Sequence, residues 1–71
     1  MKYSETITII ENSIDNCETL QQEMDIRKRI TNLEIQLLND HNITPQVFSI
    51  MINRLENKIN TQYNNLIQQF Q

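Results

Sequence analysis

At 71 residues, with a net charge of −3 and a pI near 4.9, the chain has room for one domain and lacks the basic surplus needed to neutralise phosphates, which argues against nucleic acid as a partner. Its single cysteine, Cys17, cannot form an intramolecular disulfide, which fits a reduced cytoplasm. The opening Met1-Lys2-Tyr3-Ser4-Glu5-Thr6 has neither the apolar core nor the cleavage site of a signal peptide, and no apolar run reaches the length of a membrane span, so a soluble, unprocessed protein with no membrane partner is expected.

In chain order, Ser4 is placed to cap a helix start, with Glu5 in the first turn where a negative charge complements the helix dipole. Apolar residues then recur at helical spacing: Ile7, Ile10, Ile14, Cys17, Leu20 and Met24, and after a small phase shift Ile26, Ile30, Leu33 and Leu37. This predicts either one helix over about residues 5–40 or a short N-terminal helix leading into a longer one. A bend or break is expected at residues 12–16, because Asn12, Ser13, Asp15 and Asn16 compete for backbone hydrogen bonds. Arg27, Lys28 and Arg29 form the only basic run. Glu23 and Asp25 stand four residues before Arg27 and Arg29, the favourable order for ion pairs on a solvated face.

Asn39, Asp40, His41 and Asn42 are expected to end this helical region, since Asn tolerates the left-handed conformation in a chain without glycine and His41 suits the terminal carbonyls. Thr44 then stands where an N-cap would stand, Pro45 suits the first helical position, and Ile43 and Phe48 occupy the two places of a hydrophobic staple. From Pro45, the stripe Phe48, Ile52, Leu55, Ile59, Tyr63, Leu66 and Phe70 predicts a last helix over about residues 45–70 that faces the first. The fold class is all-α: an antiparallel helical hairpin with a turn at about 41–44, with or without a short extra N-terminal helix.

Such a hairpin leaves apolar residues over. Ile35 and Leu38 precede the turn, and Val47, Ile50 and Met51 follow it, all outside the main stripes. A continuous first helix would be about 54 Å long against about 39 Å for the second, at 1.5 Å per residue, so the stretch around Ile7, Ile9 and Ile10 would overhang. It must fold back, pair with another copy or be covered by a different protein. The residues expected to bind a partner are therefore Ile7, Ile10 and Ile14 at the overhang, and Ile35, Leu38, Val47, Ile50 and Met51 beside the turn.

Residue types give no sign of catalysis, of a cofactor or of a metal site. His41 reads as an exposed turn residue and Cys17 as a small buried thiol on the apolar stripe. Tyr3 reads as a terminal residue, Tyr63 as an edge ring with a wet hydroxyl, and Asn53, Asn57, Asn60 and Gln62 as solvent-facing.

With this layout the chain resembles the small co-chaperones of type III secretion needle subunits. The likeness rests on the pair Ile10-Glu11, a first helix carrying Ile30, Leu33 and Leu37, the helix start Thr44-Pro45-Gln46-Val47-Phe48, the interval from Glu11 to Pro45, and the stripe from Tyr63 to Phe70. The resemblance implies a bacterial cytoplasmic protein that pairs with a helical-repeat (TPR-like) chaperone and, with it, keeps the needle subunit monomeric before export. Other readings stay open. One is a phage- or plasmid-encoded helical inhibitor or adaptor that docks on a host protein. Another is a homodimer closing two hairpins into a four-helix bundle. The helical-hairpin phosphatases of sporulation phosphorelays fit poorly, because their serine would fall at Ile52 and their aspartate at Glu56.

Overall fold

The computed structural model describes residues 3–69. They form three helices: α1 (Ser4–Asp15), α2 (Leu20–Leu38) and α3 (Pro45–Gln69). Phe70, expected on the last stripe, lies outside the described residues.

The break between α1 and α2 falls at 16–19, a few residues later than expected. Within α1, the Ser13 hydroxyl donates back to the Ile9 carbonyl at 3.0 Å, so its polar side chain stays within helical geometry. The new helix starts at Thr19. Its hydroxyl accepts from the Gln22 amide at 3.1 Å while the Gln22 side chain accepts from the Thr19 amide at 3.3 Å, a reciprocal capping box. Ser4 is not a cap: it is the first helical residue, and Tyr3 precedes it without a side-chain cap.

The α2–α3 turn also departs from expectation, since no described residue has a positive φ. Asp40 makes the reversal instead. Its Oδ1 accepts from the Asn42 amide at 2.9 Å, and its carbonyl accepts from the Ile43 amide at 3.1 Å. The start of α3 is as expected: the Thr44 hydroxyl accepts from the Val47 amide at 3.2 Å, Pro45 opens the helix, and Ile43 and Phe48 pack half-buried against the core.

Because the chain breaks at 16–19, α1 folds back onto the hairpin and fills the groove between α2 and α3. Two ion pairs and one side-chain-to-backbone bond fix it parallel to α3: Arg54 to Glu11 at 2.9 Å, Lys58 to Asp15 at 3.0 Å, and Gln62 Nε2 donating to the Cys17 carbonyl at 2.7 Å. At its other end the Tyr3 hydroxyl donates to Asp40 Oδ2 at 2.5 Å, beside the C-terminus of α2. The result is an up-down-up bundle with extents of 44 × 17 × 16 Å. Its core combines Ile7, Ile10 and Ile14 from α1, Ile26, Ile30, Leu33 and Leu37 from α2, and Met51, Ile52, Leu55, Ile59 and Leu66 from α3.

Among the described residues, one charged side chain lies inside the bundle. Glu23, expected on a solvated face, is buried, and Arg27 one turn later forms its ion pair. Arg27 also donates from Nη2 to Asn60 Oδ1 at 2.9 Å and lies 5.7 Å from the centroid of the Tyr63 ring. Asn60 and Gln62 therefore hold partners across the bundle rather than facing water alone.

Two outcomes check this packing. Ile14→Ala is expected to lower stability by about 2–4 kcal/mol, seen as a lower urea midpoint with an unchanged slope; a loss below about 0.5 kcal/mol, the size of a neutral surface change, would mean that α1 is not docked. Arg27→Met is expected to cost about 1–3 kcal/mol by leaving the Glu23 carboxylate without its cation, and adding Glu23→Gln should recover part of that loss.

Candidate protein-binding surface

The eight residues expected to bind a partner separate into two groups. Ile7, Ile10 and Ile14 are buried by α2 and α3, so the overhang is covered by the chain itself, and Met51 joins the same core. Val47 is half-buried against that core. The first four belong to the interior of the bundle, and Val47 lies at its edge. Ile35, Leu38 and Ile50 do face outward, at 52%, 70% and 69% exposure.

Their positions differ. Ile35 and Leu38 lie on the outer side of α2. Leu38 also edges a shallow groove at the turn, closed by Ile43, Pro45 and Phe48. Ile50 stands on the outer side of α3, one turn before Arg54, which reaches back to Glu11 of α1. The turn end of the bundle thus carries exposed apolar side chains on two of its sides.

Leu20, Met24, Ile9 and Tyr63 are exposed as well, and for the first two the sequence reading pointed inward. The capping box at Thr19-Leu20-Gln21-Gln22 carries the missing signal. A helix that begins there turns Glu23 and Ile26 toward the core and leaves Leu20 and Met24 outside. On α2 the outward apolar residues Leu20, Met24, Ile35 and Leu38 then line up in steps of three, four or eleven, along one side of the helix with exposed Thr31 between them. Ile9 lies over a groove of about 230 Å³ between α1 and α2, above Ile10 and Leu33.

The reactive side chains are few. Cys17 is buried, and burial raises its thiol above the ordinary range, while its Sγ donates to the Thr19 carbonyl at 3.5 Å. The thiol is thereby held in its protonated, weakly nucleophilic form. His41 is exposed in the turn. Among the described residues, no three His, Cys, Asp or Glu side chains are placed to share a metal ion, and no helix is long and apolar enough to cross a membrane.

Beside the α2 stripe, Glu34 is half-buried and faces Glu56 of α3. Partial burial raises the Glu34 carboxyl above its ordinary range, and the charge of Glu56 and a hydrogen bond to it push the same way. An acid whose folded pKa is raised binds its proton more tightly when folded. Its stabilising contribution is therefore present at low pH and is lost as pH rises through the raised value. Glu34→Gln should accordingly stabilise the protein at pH 7 by about 0.5 kcal/mol, the size of a like-charge repulsion on a helix surface, or about 2–4 °C in melting temperature. The gain should shrink as pH falls through the ordinary Glu range and vanish near about pH 3, more than a unit below the unperturbed value of about 4.3, where the carboxyl is protonated in folded and unfolded chains alike; an equal gain at about pH 7 and about pH 3 would rule out repulsion from Glu56.

Comparison with known proteins gives no match: no family model, no curated protein and no solved structure shows significant similarity to this chain.

Proposed function

We propose that this protein is a binding module that works by covering another helical protein, and specifically a co-chaperone. In this reading it pairs with a helical-repeat chaperone and helps keep a type III secretion needle subunit monomeric in the bacterial cytoplasm. The observation that carries the reading is the set of apolar side chains left in water around the α2–α3 turn, Ile35, Leu38 and Ile50, on a chain whose core is otherwise closed. Removing such surface from water gives about 25 cal/mol per Å² of apolar area.

Shape supports the same reading. Helical-repeat proteins present long concave surfaces. A rod 44 Å long and about 17 Å across is suited to lie in such a surface, with Leu38 and Ile50 on different sides meeting opposite walls. The resemblance of the Thr44-Pro45-Gln46-Val47-Phe48 helix start to the needle co-chaperones adds the identity of the partner. In the bundle, this segment places Phe48 half-buried next to the Leu38 groove, so it shapes the proposed contact as well as starting the helix.

The test is co-expression with a helical-repeat protein encoded beside it, with and without a needle subunit. A stable complex is expected to copurify. Leu38→Glu and Ile50→Glu should each weaken it at least tenfold, a loss of about 1.4 kcal/mol or more, while leaving helical content and melting temperature within the range of a surface substitution. Failure of the helical-repeat protein to copurify, or binding by both variants at the strength of the unaltered protein, would overturn the reading.

A further inference from the structure

The outer side of α2 carries a row of exposed side chains centred on Thr31. Met24, Thr31 and Leu38 are spaced by seven residues, the repeat of helices that pair along a seam, and all three are exposed. Thr31 is the midpoint. Leu20 and Ile35 extend the apolar row on this side, four residues before Met24 and four after Thr31. Toward α3, the row is flanked by Arg27 and Glu34, of opposite charge, four residues before and three after the midpoint.

We infer that α2 pairs with α2 of a second copy of this chain, antiparallel, about a two-fold axis that passes beside Thr31. The arithmetic of the helix gives the partners. Residues equally far before and after Thr31 stand opposite one another, so Met24 meets Leu38 of the second copy and Leu38 meets its Met24. A two-fold axis perpendicular to the helices keeps each flank on its own side. Arg27 of one copy and Glu34 of the other then share a flank and differ by about 1.5 Å along the helix axis. The contact forms twice, once in each direction.

Charge complementarity selects a second copy over other occupants. Within one chain Glu34 faces another carboxylate, Glu56. Across the axis it meets a guanidinium. Arg27 has five N–H donors, of which Nε serves Glu23 and Nη2 serves Asn60, so it can approach a further carboxylate without leaving the buried one. The polar middle of the stripe, Arg27, Thr31 and Glu34, is thus self-complementary in the antiparallel direction alone. In a parallel pair the two-fold axis runs along the helices and carries this flank to the opposite side of the second copy, so Arg27 and Glu34 of the two chains lie apart and the pairing of opposite charges is lost. A single helix-to-helix seam is small, so association should be weak and should depend on concentration. The seam shares Ile35 and Leu38 with the surface of the co-chaperone reading but is tested at Thr31, a position that reading does not use.

The symmetry also supplies the test, because Thr31 is the one position that meets itself. Sedimentation equilibrium of the full chain between about 10 μM and about 1 mM, a range that reports micromolar to millimolar dissociation constants, should show the mass rising from 8.5 kDa toward twice that value. Thr31→Lys and Thr31→Glu, both at an exposed site and both expected to keep the circular-dichroism melt of the unaltered protein, should each raise the dissociation constant at least tenfold. An equal mixture of the two should associate again, as well as the unaltered protein or better, because Lys then faces Glu at the axis. A mass that stays at 8.5 kDa up to about 1 mM overturns the inference. So does association of Thr31→Lys at the unaltered strength, which places the seam elsewhere, and so does a mixture that fails to associate, which removes the two-fold axis from Thr31.

Discussion

The structure depends on α1 filling the groove between α2 and α3. Two antiparallel helices expose the flanks of both apolar stripes, and a short third helix is the least structure that covers them. Ile7, Ile10 and Ile14 supply that cover and share one closed core with Leu33 of α2 and Leu55 and Ile59 of α3. The hydrophobic term is non-directional, so it brings α1 to the hairpin without fixing where it stops. Its register comes from polar contacts at its two ends. Tyr3 is held by Asp40 at one end, and the Cys17 carbonyl is held by Gln62 at the other.

Those contacts also solve a problem of backbone accounting. The connector at 16–19 turns the chain without glycine, and a carbonyl in a tight connector needs a donor. Gln62 reaches it from α3, and Thr19 and Gln22 satisfy each other's backbone amides at the start of α2. At the other reversal Asp40 serves both the turn and Tyr3 with different oxygens of one carboxylate. Each connector is therefore specified by side chains and leaves every described residue in a backbone region open to any amino acid.

Much of this was legible from local spacing. The start of α3 at Thr44-Pro45, the inward stripe Ile52, Leu55, Ile59 and Leu66 and the burial of Cys17 all follow from interactions within one or two turns, which sequence order displays directly. The place of the first break was only approximately legible: Asn12, Ser13 and Asn16 are weak helix formers, yet the event that sets the boundary is the positive signal at Thr19 and Gln22. The inward turn of Glu23 follows from that boundary, and the exposure of Leu20 and Met24 follows with it. The contacts that dock α1 join residues 37 to 45 positions apart, and no periodicity in the chain reports a pairing over that distance. For the same reason Ile7, Ile10 and Ile14 read equally well as core or as a surface for others, since periodicity shows that a face will be covered and is silent on what covers it.

Arg27 occupies a junction between the inside of the molecule and its outside. Its side chain is 42% exposed, while the carboxylate it neutralises is 4% exposed. Thermodynamic linkage then runs in both directions. Any binding event that draws the guanidinium outward must spend part of its free energy on the stranded anion at Glu23, and any event that holds the guanidinium in place tightens the start of α2 at the same time. Recognition on the outer side of α2 and cohesion at the Cys17–Glu23 end of the bundle are, through this one cation, reciprocal quantities.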